Sequence, residues 1–324
     1  MEEKILEVID LKTYFFTTAG VIRAVDGVSF CLHKGKTLGI VGESGSGKSV
    51  TALSILDLVP RPAGKIVGGE ILFRGEDLIK KSNKEMRSFR GKKIFMIPQD
   101  PMTSLNPVFN ICDQIGEAIG RHQGVKGDGL KSKIIEMLKL VRIPMPEKRV
   151  NSYPHQFSGG MKQRVMISMA LSCQPEILIA DEPTTALDVT IQAQIFKLMV
   201  EIREKFNTSI ILITHDLGII AKFCNEVVVM YAGRIVEKAD VTTLFKRHRH
   251  PYTKGLINSI PSINRRKDRL LTIKGQPPNL LDLPDGCLFE PRCDFAIEKC
   301  AENYPPTELV ADHHTICCWR WREI

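Results

Sequence analysis

The sequence has 324 residues, 43% of them hydrophobic and 25% charged, which excludes a disordered or fibrous chain and leaves material for one large domain and a smaller one. Forty-five Lys and Arg against 37 Asp and Glu give a formal charge of +8; this suits anions such as nucleotides or an acidic lipid surface, while the dispersal of the basic residues argues against nucleic acid. The acidic start MEEKILEVID has no apolar signal core, and no run approaches the roughly 18 apolar residues of a bilayer span, so neither secretion nor membrane insertion is expected.

In chain order, VSFCLHKG alternates polar and apolar residues and reads as an antiparallel strand. TLGIVG reads as a buried strand, and GKSVTALSILDLV as the helix that follows it. Between them lies GESGSGKS, Gly42 to Ser49, in the strand–loop–helix setting that a phosphate-binding loop requires. Gly42, Gly45 and Gly47, with Ser44 among them, let the backbone wind closely with its N–H groups inward, and the helix start adds positive potential. Lys48 is expected at the β- and γ-phosphates and the Ser49 hydroxyl on Mg²⁺.

GGEILFRGEDL reads as a further antiparallel strand. KIFMIPQD, EILIADEP, SIILITHD and EVVVMY are continuous apolar runs ending in polar residues, the pattern of a parallel sheet covered on both faces. Gln99 ends the first run, where its amide is placed for the metal or the attacking water. Asp181 ends the second as a magnesium ligand through water, and Glu182 follows it, able to orient and polarise the attacking water. His215 ends the third, as a γ-phosphate contact.

A mostly helical insertion spans about residues 100 to 170 and includes SKIIEMLKLV. Its FSGGMKQR stretch places Ser158, Gly159 and Gly160 at a helix N-terminus able to receive an anion. One nucleotide needs one phosphate loop, so this surplus end implies a nucleotide held by another subunit. The cluster Lys246 to His250 reads as a solvated helix end. Proline becomes frequent beyond residue 240, which sets expected domains at 1–240 and 241–324.

Five of the nine cysteines fall in the last 38 residues: Cys287, Cys293, Cys300, Cys317 and Cys318. A segment so small and proline-rich calls for a staple, and such crowding suggests a metal. The spacing lacks the short pairs usual for zinc, while iron–sulfur sites tolerate wider ones; spacing alone leaves the two open. Cys31, Cys112, Cys173 and Cys224 read as core or surface thiols.

Taken together, the phosphate loop, PQDP, SGGMKQR, IADEP, ALD and THD resemble, in that order, the ATP-binding subunit of an ABC transporter. The resemblance covers roughly residues 4 to 240 and implies an α/β P-loop NTPase core of RecA-like type, with an antiparallel β subdomain and a helical subdomain. It also implies a head-to-tail dimer, each ATP lying between Gly42–Ser49 of one subunit and Ser158–Gly160 of the other. Glu182 then resembles the catalytic glutamate, Asp181 the Walker B aspartate, His215 the switch histidine and Gln99 the Q-loop glutamine; Asp188 of ALD would lie at the dimer interface. Tyr14, or alternatively Phe16, would stack on adenine. Phe157 and Met161 depart from the commoner LSGGQ signature, while its Ser-Gly-Gly core is intact.

PQDPMTSLNP and IKGQPPNLLDLPDGCLFEPRC are similar to the dipeptide and oligopeptide importers, in their D-type ATPase subunit, which extends the resemblance through the tail. This implies ATP hydrolysis at the cytoplasmic face of the membrane, an F-type partner ATPase, two membrane subunits and an extracytoplasmic peptide-binding protein; nickel importers share the architecture. It also implies a small C-terminal domain stapled by a [4Fe–4S] cluster on Cys287, Cys293, Cys300 and a fourth cysteine four residues after a histidine, which from His314 selects Cys318 with Cys317 as the alternate. A soluble ABC ATPase acting on DNA or ribosomes would call for tandem cassettes or a long coiled coil, and a non-hydrolysing module for loss of Glu182 or His215; neither feature is in the sequence.

Overall fold

The structure, a computed structural model, describes residues 3–100, 104–125, 127–184, 187–260 and 273–324. Its strands in chain order are β1 (Lys4–Thr17), β2 (Gly20–His33), β3 (Thr37–Val41), β4 (Gly64–Phe73), β5 (Glu76–Asp77), β6 (Ile94–Ile97), β7 (Ile177–Asp181), β8 (Ser209–Ile213), β9 (Glu226–Tyr231), β10 (Arg234–Asp240), β11 (Glu308–Ala311) and β12 (His314–Ile316). The chain forms two compact units, residues 1–33, 37–80 and 213–324 in the first and 34–36 and 81–212 in the second.

The first unit contains an antiparallel sheet in the order β2-β1-β4-β5. The β1–β2 hairpin runs from Lys4↔His33 to Thr17↔Gly20, which puts Phe16 opposite Val21 near its tip. In the same unit β3 pairs in parallel with β9, and β10 pairs antiparallel with β9. Every residue of β3 is buried, as its unbroken apolar run predicts. The helix after the phosphate loop, Lys48–Ile55, ends short of the expected Val59. Asp57 takes φ +49° and Pro60 follows, and neither continues a helix.

The proline-rich tail is in backbone contact with the strands that precede it. Residues 241–324 share the unit of the phosphate loop, because β12 pairs with β10 through Glu237↔Ile316 and β11 pairs with β12. Glu237, fully buried, fixes this junction: its carboxylate accepts from the backbone N–H groups of Arg249 (2.7 Å) and His250 (3.2 Å) and hydrogen-bonds His314 Nε2 at 2.9 Å. The expected solvated end at Lys246–His250 is therefore only half correct. Lys246 and Arg247 are exposed at the end of the helix Val241–Arg247, but His250 is buried and caps the next helix, Pro251–Asn258, by accepting from Tyr252 N–H.

In the second unit β6 and β7 pair in parallel, with β8 beside β7. The helices Ile111–Gln123, Asp128–Leu140 and Gly159–Ser172 pack together, and the third is buried on most sides from Val165 to Ser172. Ile111, Ile115 and Ile119 recur at helical spacing with no exposure. No helix among the described residues is long and apolar enough to cross a membrane.

Candidate nucleotide site

The loop Gly42–Ser49 follows β3 and enters the helix Lys48–Ile55. Gly47 has φ +96°, and a Cβ there would stand 2.3 Å from the Ala24 carbonyl oxygen, so geometry and space both demand glycine. Gly45, at φ +79°, faces open space. The Lys48 ammonium arches over the loop, donating to the carbonyls of Gly42 (2.9 Å) and Glu43 (2.8 Å) and to Ser46 Oγ (3.3 Å). Ser49 lies in the first helical turn, partly exposed. A cationic amine, a helix start and an open glycine edge make an anion cradle.

Tyr14 and Phe16 line one cavity of the first unit. The Tyr14 hydroxyl donates to Asp26 Oδ1 at 2.7 Å, and Arg234 Nη2 donates to Asp26 Oδ2 at 2.6 Å. Burial would push the Asp26 carboxyl up, but the bonds from Tyr14 and Arg234 hold it below its ordinary value. Burial, then the bond to Asp26, pushes the Tyr14 phenol up to about 12. Tyr14 is thus fixed in a structural network, whereas Phe16 is 46% exposed at the hairpin tip. His215, in the same unit, is exposed just after β8.

The second unit carries the carboxylates. Asp181 is the buried last residue of β7. Glu182 follows with φ +44°, a left-handed conformation that costs a non-glycine residue strain of the kind found at functional sites. Gln99 Nε2 donates to Glu182 Oε2 at 3.2 Å, so the structure brings these two predicted residues together. Ser158 is the exposed N-cap of the 14-residue helix Gly159–Ser172, its Oγ accepting from Met161 N–H, and Phe157 before it is buried. A Cβ on Gly160 would meet Ile191 Cγ2 at 2.7 Å, so this glycine lets the signature helix approach the helix Val189–Phe206. Asp188 caps that second helix by accepting from Ile191 N–H at 2.9 Å.

In the tail, Cys287, Cys293, Cys300 and Cys318 line one small cavity walled by Phe289, Pro305 and Trp319. Burial, and then the neighbouring thiols, push the Cys287 thiol up to about 12; crowded thiols of this kind gain from a cation that takes their protons' place. Cys317 faces elsewhere and hydrogen-bonds Thr307 Oγ1. The donors thus suit a thiolate-bound group, although among the described residues no set of three or more His, Cys, Asp or Glu side chains is arranged to hold a metal ion. Cys173 and Cys224 are core thiols; Cys31 and Cys112 are partly exposed.

Sequence reasoning missed three residues. They are Glu43, Tyr252 and Arg292: the Glu43 N–H donates to Tyr252 Oη at 2.8 Å. Arg292 forks onto the Glu43 carboxylate at 2.6 and 3.0 Å. The only hints were an acidic residue inside the phosphate loop and an arginine beside Cys293.

Comparisons with known proteins agree with this arrangement. Residues 25–185 match the family described as ABC transporter, and residues 236–300 match the oligopeptide/dipeptide transporter C-terminal region. The chain is 53% identical to a probable peptide ABC transporter ATP-binding protein of Sinorhizobium fredii, over 99% of this chain and 96% of that one. It is 50% identical to the dipeptide transport ATP-binding protein DppD of Bacillus subtilis, over 98% and 95%. Against the oligopeptide transport ATP-binding protein OppD of the same organism it is 52% identical, over 98% and 88%. Among solved structures, the dimeric bacterial ABC transporter cassette MJ0796 superposes with a TM-score of 0.65 at 25% identity, covering 73% of this chain and 98% of that one. The chain therefore belongs to the ABC transporter family, as an ATP-hydrolysing, ATP-binding subunit of the dipeptide and oligopeptide importers.

Proposed function

We propose that each ATP is clasped between the Gly42–Ser49 loop of this chain and the Ser158–Gly160 turn of a second ATPase subunit. That subunit is an F-type partner in the assembled importer, or a second copy in isolation. The observation that carries this reading is the exposed Ser158 turn, a second helix start able to receive an anion besides the phosphate loop. Lys48 lies against the phosphates, and Ser49, Asp181 and Gln99 would hold a Mg²⁺ ion that would supply further positive charge there. Glu182 polarises the attacking water, Gln99 and His215 sense the γ-phosphate, and an aromatic ring, Tyr14 or the more exposed Phe16, takes the adenine. The pair works at the cytoplasmic face beneath two membrane subunits, with peptide delivered by an extracytoplasmic binding protein; closure on ATP and release on hydrolysis gate the path. A Ser158→Arg chain is expected to bind ATP normally alone yet to support no peptide-stimulated turnover in the assembled importer. Full turnover by that variant would contradict the shared site.

The tail is read as holding a [4Fe–4S] cluster on Cys287, Cys293, Cys300 and Cys318. The four thiols share one cavity, whereas Cys317 is turned to Thr307. Such a group supplies a covalent staple for a segment with little core of its own. After anaerobic purification, iron with acid-labile sulfide is expected; Cys318→Ser should lower both and Cys317→Ser neither. Zinc without sulfide would identify the other metal.

A further inference from the structure

We propose that the tail segment Gly275–Asp285 is a second wall of the nucleotide site, receiving the base and ribose of ATP against Leu280 and Leu281, with Arg292 as its positioning residue. The proposal rests on the reading of Gly42–Ser49 as the ATP phosphate site. Leu280 lines two cavities at once. One is bordered by Glu43, Ser44 and Gly45 of the phosphate loop together with Pro277 and Pro278. The other is bordered by Tyr14, Phe16 and Arg23, with Leu281 among its lining residues. The cavities adjoin, so a ligand with its phosphates on the loop has its base end at the hairpin and its flank along the tail.

The second cavity has the character of a base slot. Leu281 packs at the hairpin turn, its Cδ2 3.4 Å from where a Cβ on Gly20 would stand. Leu281 is 40% exposed and Phe16 46%, two apolar side chains left facing the same open space. The wall is stiff. Pro277 and Pro278 restrict its backbone, and Asn279 closes a turn, its Oδ1 accepting from Leu281 N–H (3.1 Å) and its carbonyl from Asp282 N–H (3.0 Å).

Arg292 joins this wall to the phosphate loop. Its Nε donates to the Lys274 carbonyl at 2.8 Å and its Nη2 reaches the Gly275 carbonyl at 3.4 Å, while both Nη atoms bind the Glu43 carboxylate. The guanidinium is buried, with the rings of Tyr231 and Phe289 alongside. It therefore does two things. It anchors the start of the wall, and it neutralises a carboxylate that the loop carries beside a triphosphate.

The test measures the affinity of the full chain for ATP and for inorganic tripolyphosphate, which has no base, with Mg²⁺ present. Leu281→Asp should weaken ATP about tenfold, the worth of one apolar contact, and leave tripolyphosphate unchanged. In the assembled importer the same variant should raise KM for ATP and keep kcat. Arg292→Met should weaken both ligands, and adding Glu43→Gln should recover most of the tripolyphosphate affinity by removing the uncompensated charge. Wild-type ATP affinity in Leu281→Asp, or an equal loss for both ligands, overturns the wall. Because Leu281 is a surface side chain, that variant decides the question even if Arg292→Met fails to fold. Lys48→Ala serves as the control: loss of both ligands there keeps the phosphate-site reading separate from the wall, and retention of both would bring down that reading and the wall with it.

Discussion

At the scale of single residues, the account turns on Glu182. Its strained left-handed backbone and its bond from Gln99 both follow from its place immediately beyond a buried strand. A glutamine at 182 keeps the size and loses the carboxylate proposed to polarise the attacking water. Glu182→Gln should lower turnover roughly 100- to 10,000-fold while ATP still binds, as measured by phosphate release and nucleotide titration. Such candidates could be picked out in the sequence because each sits where an apolar run stops. Their partners could not. Arg292 lies 249 positions from Glu43, and no local pattern announces a contact at that separation. Tyr14 illustrates the same limit: its aromatic ring was visible, but its anchoring to Asp26 depends on strand register.

At the scale of elements, the sequence was most informative where one element buries itself. β3, β7 and β8 are buried along their whole length and were readable as continuous apolar runs. One helix start was readable too, since Ser158 caps the helix that follows it; the caps at Asp188 and Asp240 emerge only from the structure. Helix ends were harder, since the stop at Ile55 depends on the left-handed turn at Asp57. The phosphate loop gives a graded prediction. Gly45→Ala meets no neighbour and should cost about 1–2 kcal/mol of conformational strain. Gly47→Ala adds a backbone collision at 2.3 Å that no side-chain movement relieves, so its loss in urea unfolding should be clearly larger.

At the scale of the whole molecule, the change of texture at residue 240 was legible, whereas the strand pairing that ties the tail to the cassette was not. Frequent proline marked a second domain; the backbone pairing of β12 with β10 places the tail in the phosphate-loop unit. The junction should be sensitive to acid. His250 is buried and neutral, its pKa pushed down to about 4 by burial, against the pull of Glu237. A histidine with a depressed folded-state pKa takes up its proton more readily when unfolded. Its contribution is therefore complete above about pH 6.5 and is lost as the pH falls towards 4, by at most about 3 kcal/mol. The thermal midpoint should drop over that window, and His250→Asn should flatten the drop.

The central claim is that this chain hydrolyses ATP in order to move peptide. The most direct measurement is peptide uptake together with phosphate release in proteoliposomes carrying the assembled importer, with either the wild-type chain or Glu182→Gln. Peptide-dependent phosphate release coupled to uptake in the first, and loss of both in the second, is the predicted result. Uptake that continues at the wild-type rate with Glu182→Gln, or without the chain altogether, would contradict the account.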